Sequence, residues 1–133
     1  MVNLEAEKKH IIKLKKERKC NMYIGLYLKK PIIETGYYPK IDEQNIKKHK
    51  TKDFEESMKL GQFFSDNIND ECGTLVANYE YDYWNPKQCK NVVKWIEKNQ
   101  MLIKEADLEE IFKVIYDYCK QAIELDTGVE IDL

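Results

Sequence analysis

The sequence is poor in glycine, and it lacks the glycine patterns that often mark an active site. It has 5 glycines among 133 residues, with no glycine-rich phosphate loop and no G-x-S-x-G pattern. Those patterns present backbone amides to phosphates or hold a catalytic serine on a sharp turn. Their absence argues against the common nucleotide-dependent and serine-hydrolase activities, and we expect the chain not to be an enzyme.

Cysteine and histidine are also sparse, and their spacing is unfavourable for metal or redox chemistry. The four cysteines are Cys20, Cys72, Cys89 and Cys119, and no two of them form a C-x-x-C pair. A zinc ribbon or a thioredoxin-like site needs that close spacing. The sequence therefore predicts no metal and no cofactor, with Cys89 and Cys119 acting as small apolar residues on two helices.

The chain has no long hydrophobic run. The longest run spans residues 22–28, which is the length of a strand and far below the ~20 residues of a membrane span. The basic N-terminal stretch is not followed by the apolar segment and small-residue cleavage site of a signal peptide. With the unpaired cysteines, these features predict a reduced protein of the cytoplasm.

What is present is the composition of one globular domain. Apolar residues make up 43% and charged residues 35% of the chain, with a net charge of −2. A chain of this length can bury one core. We therefore predict a single domain over residues 1–133, in which residues 1–19 form a peripheral basic helix.

The first half of the sequence favours strands after that helix. Residues 22–28 are apolar on both faces and predict an interior strand. Residues 32–38 predict a second strand, joined to the first by a turn at 29–31. The polar stretch 40–52 predicts an exposed loop.

Helix-start signals divide the rest of the chain. Asp53 with Glu56 forms a capping-box pattern, and Asn85 followed by Pro86 is a second start signal, for a helix that reaches about Asn99. Between these two helices, residues 73–84 alternate with period two, which predicts a strand whose Leu75, Ala77 and tyrosine side chains pack on helices.

The C-terminal part contains one more helix and one more strand. Asp107 with Glu110 predicts a capping box, Gly128 a left-handed stop, and the alternating tail 129–133 a short final strand. The chain therefore predicts an α+β fold, mainly an antiparallel sheet of about four strands with helices packed on one face.

Charge is distributed unevenly along the chain. Residues 1–30 carry a net charge of +6, and residues 101–133 carry a net charge of −6. An asymmetry of this size suggests a charged partner, or attraction between the two ends within one fold.

The basic residues suggest one candidate interface. Four lysines recur on one face of the helix that follows Pro86: Lys87, Lys90, Lys94 and Lys98. With the N-terminal helix they predict a surface that could follow a phosphate backbone. No aromatic side chains interleave with them, although single-strand binders usually stack bases on such residues.

The acidic residues suggest a second candidate interface. We expect the tyrosine face of the 73–84 strand and the apolar face of the tail to be buried. Four carboxylates and an indole then point away from the helices. These residues are Glu80, Asp82, Trp84, Glu130 and Asp132. Carboxylates around an aromatic side chain suit a basic protein partner, since charge steers the encounter and the aromatic group anchors it.

Segments such as NIKKHKTKDF and KNVVKWIEKNQ are rich in lysine, isoleucine and asparagine, and the chain is short and lacks catalytic motifs. In these features and in its predicted acidic face, it resembles the small bacterial immunity proteins encoded beside contact-dependent or secreted toxins. It implies an inhibitor that neutralises a cognate toxin, commonly a basic nuclease, by direct binding. The alternative is a small nucleic-acid-binding protein that uses the lysine stripe and the N-terminal helix.

Overall fold

The computed structural model describes residues 22–31 and 43–133. The predicted helix at 1–19 and the predicted strand at 32–38 lie outside these residues. Within them the chain has an α+β fold built on a four-stranded antiparallel sheet, as predicted.

The sheet places the last strand of the chain near its centre. The strands are β1 (Tyr23–Tyr27), β2 (Ile46–Lys50), β3 (Tyr81–Trp84) and β4 (Val129–Asp132), in the order β2-β1-β4-β3. The two predictions of an interior strand at 22–28 and of a final strand in the tail are confirmed. Tyr23 lies opposite Asp132, which in turn lies opposite Tyr81.

The prediction of a loop over residues 40–52 is wrong for Ile46–Lys50, which form β2 after a short 3-10 turn at Glu43–Asn45. The polar sequence concealed this strand because β2 pairs with β1 and its side chains remain exposed. Lysines on an edge strand also discourage pairing with other chains.

Five helices follow β2 or separate the later strands. They are α1 (Phe54–Asn67), α2 (Asn69–Cys72), α3 (Pro86–Lys98), α4 (Gln100–Glu105) and α5 (Glu109–Leu125). The short helix α4 was not predicted.

Two helix starts have the predicted side-chain caps. The carboxylate of Asp53 accepts a hydrogen bond from the amide of Glu56 at 2.8 Å, at the start of α1. Before α3, Asn85 and Gln88 each accept the other's backbone amide at 2.9 Å. These bonds satisfy amides that have no partner inside the helix.

The ends of α5 differ from the prediction. Leu108 is its N-cap and makes no side-chain capping bond, while Asp107 has a φ of 58°. The Asp107–Glu110 capping box is therefore wrong. Asp126, with a φ of 54°, ends the helix in the left-handed conformation predicted for Gly128.

The long strand predicted over 73–84 is confirmed only at its end, in β3. Ahead of it, the side chain of Asn69 bonds the backbone of Val76 at both its amide and its carbonyl. A side chain that captures backbone groups in this way competes with pairing in a sheet. Residues 74–80 therefore form an irregular segment beside β3.

The core lies between the sheet and the helices. Trp84 from β3 packs on Phe64 from α1 with ring centroids 5.4 Å apart, and Phe64 stacks on Phe112 from α5 at 5.8 Å. Cys89 and Cys119 are fully buried in this core, as predicted.

Candidate functional site

In β3, the side chains that face the helices are not the ones that the sequence predicted. The strand register puts Asp82 in line with Ile131 and Ile24, on the face that the helices cover. Tyr81 and Tyr83 lie on the opposite face, which we call the open face. The predicted orientation of Asp82 and Trp84 is therefore wrong, whereas Glu130 and Asp132 do lie on the open face.

Asp82 and Trp84 act together in the core. Asp82 is 5% exposed and accepts hydrogen bonds from the indole nitrogen of Trp84 at 2.9 Å and from the amide of Leu75 at 2.8 Å. A buried carboxylate needs such donors because it has lost its water. The bond to Leu75 holds the irregular segment against β3. The two side chains therefore stabilise the fold from within the core, and they do not lie on an exposed surface.

The open face carries a buried carboxylate surrounded by phenols. Glu130 is 3% exposed and accepts hydrogen bonds from the hydroxyl groups of Tyr23 (2.7 Å), Tyr27 (2.7 Å) and Tyr81 (2.6 Å). We call these four residues the Glu130 cluster. Bonds from three donors replace the water that a carboxylate would otherwise hold, so this predicted partner-binding residue is already saturated.

A glycine makes room for the cluster. A Cβ atom at Gly25 would lie 2.8 Å from Cγ of Glu130, closer than such atoms approach. Beside it, Lys48 of β2 places its ammonium group 4.4 Å from the ring centroid of Tyr23 and 3.2 Å from the carboxylate of Glu43. Lys48 of this strand therefore covers the ring of one donor to Glu130, with its own charge paired to Glu43.

Burial raises the pKa of the open-face tyrosines. The pKa values of Tyr23, Tyr27 and Tyr81 lie well above the ordinary value of 10, first because the rings are withdrawn from water. Their bonds to Glu130 add to the shift, since a phenol that donates to a carboxylate retains its proton. Burial also raises the pKa of Tyr83 to about 12.

These shifts predict a loss of stability in alkaline solution. The folded protein retains phenol protons that the unfolded chain releases near pH 10, so the stabilisation is complete below pH 10 and decreases as the pH rises above it. We expect the phenolate absorbance of these tyrosines to appear at the same pH at which the protein unfolds. Circular dichroism measures the unfolding. Phenolate absorbance from all nine tyrosines near pH 10, with the fold intact, would contradict this expectation.

Two of the carboxylates predicted to bind a partner lie at the β3 edge of the sheet. Glu80 and Asp132 line one shallow cleft, with a volume of about 800 Å³, between β3, the irregular segment and α1. We call it the edge cleft. Leu75 lines the same cleft and is 63% exposed, so it presents an apolar side chain to solvent there.

Tyr79 lines the edge cleft in a strained conformation. Its φ is 69°, in the left-handed region, and the turn around it is closed by a bond from the amide of Glu80 to the carbonyl of Ala77 at 3.3 Å. A residue other than glycine in that region costs free energy, and such strain is concentrated at functional sites.

Leu75 and Tyr79 were not predicted as site residues because the alternating pattern placed both on a buried strand face. Two signals could have exposed the error. A strand of the predicted length is longer than most, and Asn78 in its middle is a turn-forming residue that strands disfavour.

The four lysines of the alternative interface all lie on the solvent-exposed face of α3. Gln88 from the same helix donates to the carbonyl of Gly73 at 2.8 Å, which fixes α3 against the end of α2. The stripe is thus well ordered, with Val92 and Ile96 buried on the opposite side.

Further observations bear on other classes of protein. Within residues 22–31 and 43–133, no three histidine, cysteine or acidic side chains come together as a metal site requires. No helix in that part of the chain combines the length and apolar character needed to cross a bilayer. No protein-family model, curated protein or solved structure matches this chain.

Proposed function

We propose that this chain is an immunity-type inhibitor, a binding protein of the cytoplasm and not an enzyme, which neutralises a cognate bacterial toxin by direct contact. The observation that carries the proposal is the edge cleft. There the exposed Leu75 and the strained Tyr79 lie beside the carboxylates of Glu80 and Asp132.

The chemistry of the edge cleft matches a basic protein partner. Tyr79 can supply a desolvated anchor of the kind that carries much of the binding energy at an interface, and Leu75 adds apolar contact beside it. Carboxylates at the rim steer a positively charged partner toward them and raise the association rate. Nuclease domains present positive charge to their phosphate substrates, so a nuclease toxin is the partner class that we propose.

The experiment pairs this chain with the product of a neighbouring toxin-like reading frame. Leu75→Ser combined with Glu80→Lys is expected to weaken binding about 10- to 100-fold, because it removes an apolar contact and reverses a steering charge. Calorimetry measures the affinity, and growth on co-expression with the toxin measures protection.

Glu124→Lys is the control, since Glu124 is exposed on α5 and forms no part of the edge cleft. Binding that is unchanged by the double substitution, or lost equally in the control, would reject the edge cleft as the interface. The absence of any toxin-like neighbouring gene would weigh against the immunity class itself.

The nucleic-acid alternative has one supporting observation, the exposed lysine stripe on α3. Stripes of this kind also occur on the solvent face of any amphipathic helix. The edge cleft combines charge with exposed apolar groups, and for that reason we favour the protein partner.

A further inference from the structure

A second cleft lies between the helices, away from the sheet. It has a volume of about 450 Å³ and is formed by the end of α3, by α4 and by the first half of α5. Its floor is apolar, since Ile96, Ile103 and Phe112 line it and are almost fully buried. We call it the helical cleft.

The rim of the helical cleft is acidic. Glu97, Glu109 and Asp117 line it with one lysine, Lys113, and all four side chains reach solvent. The hydroxyl group of Tyr116, which also lines the cleft, donates to the carboxylate of Glu97 at 3.3 Å. This bond positions one carboxylate directly above the apolar floor.

An apolar floor under an acidic rim is complementary to a lysine or arginine side chain. The methylene stem of such a side chain can contact the buried isoleucines and phenylalanine, while its charged head reaches the carboxylates. A negatively charged ligand would meet three carboxylates against one ammonium group, and a neutral apolar ligand would leave the carboxylates unpaired.

The surface beside the helical cleft extends the apolar contact. Met101 and Leu102 follow the cleft residue Gln100 on α4, and they are 69% and 37% exposed. Neighbouring apolar side chains on a surface are typical of interaction sites.

We propose that the helical cleft and the adjoining face of α4 bind a basic amphipathic helix of a partner protein. The apolar face of that helix packs on Met101 and Leu102, and one of its lysine or arginine side chains enters the cleft. The recognition resembles other helix-in-groove interactions, in which anchors recur at helical spacing.

This site is separate from the edge cleft. The start of α3 lies against Gly73 through Gln88, and about 12 Å of helix separates Gln88 from Ile96 at the helical cleft. The inference therefore does not depend on the proposed function, and it can be tested without a toxin.

The probe is a synthetic helical peptide with leucines along one face and lysines on the other, titrated into the full-length protein by calorimetry. Glu97→Lys combined with Asp117→Lys is expected to weaken binding about tenfold or more, since it places repulsive charge at the rim. Met101→Asp is expected to weaken it separately by removing an apolar contact.

The control has the same change in net charge at exposed positions outside the cleft, namely Glu71→Lys with Glu124→Lys. Equal weakening by both pairs would show attraction to overall charge only and would overturn the proposal. No saturable binding of the peptide would also overturn it, as would sedimentation evidence that a second copy of the chain covers this face.

Discussion

Replacing Glu130 by alanine is expected to lower the free energy of unfolding by about 3–5 kcal/mol. The carboxylate accepts three phenol hydrogen bonds, and a bond to a charged group contributes roughly 1.5–3 kcal/mol. The sum is reduced because Tyr23 and Tyr81 are half-buried and can turn to water, while Tyr27 is fully buried and cannot.

Urea unfolding followed by the fluorescence of the buried Trp84 and Trp95 measures this loss. Glu80→Ala is the matched control, and we expect a change of less than about 0.5 kcal/mol because Glu80 is exposed. Tyr81→Phe should cost about 1–2 kcal/mol, since it removes one donor and leaves the other two. If Glu130→Ala is as stable as the parent, the cluster contributes nothing to the fold.

Reversing the charge of Asp82 is expected to prevent folding, whereas reversing that of Glu80 is expected to be tolerated. A lysine at position 82 would bury an ammonium group in the core and would remove the acceptor of both Trp84 and the amide of Leu75. We expect a loss of more than about 4 kcal/mol, a large part of the stability of a small domain.

Circular dichroism and the recovery of soluble protein distinguish these two variants. Asp82→Asn provides a milder comparison, because both bonds end on Oδ2 and the amide oxygen of asparagine can accept both, without the charge that strengthens them. We expect this variant to fold with a loss of about 1–3 kcal/mol. A well-folded Asp82→Lys protein would show that position 82 faces solvent, as the alternating pattern of the sequence had suggested.

The fold could be predicted from the sequence wherever a local signal sufficed. Asp53 and Asn85 cap their helices through bonds to residues three positions later, so both helix starts were found. The apolar strand β1 and the alternating tail β4 were found for the same reason. Strand β2 was not predicted because it is stabilised by pairing with β1, and four of its five side chains are exposed.

The site was harder to predict because alternation gives the period of a strand but not which face is buried. Residues on both faces of β3 take part in hydrogen-bond networks. Asp82 accepts bonds on the face that the helices cover, and Tyr81 donates to Glu130 of β4 on the open face. Some of the groups that donate to those carboxylates come from distant parts of the chain, as the hydroxyl group of Tyr23 and the backbone amide of Leu75 do. The edge cleft depends on the turn at Tyr79, which tertiary contacts impose against the intrinsic preference of the residue.

The position of β4 in the sheet has a consequence for synthesis. Val129–Asp132 lie between β1, one of the first described segments to leave the ribosome, and β3. Strand β1 can pair with β2 early, but the pairings of β4 with β1 and with β3 form only after residue 132 has emerged. Until then Tyr27 lacks its carboxylate and β1 exposes an unpaired apolar edge. The nascent chain therefore depends on its helices, or on a chaperone, to shield β1. The sheet is completed in a late step, which joins segments about a hundred residues apart.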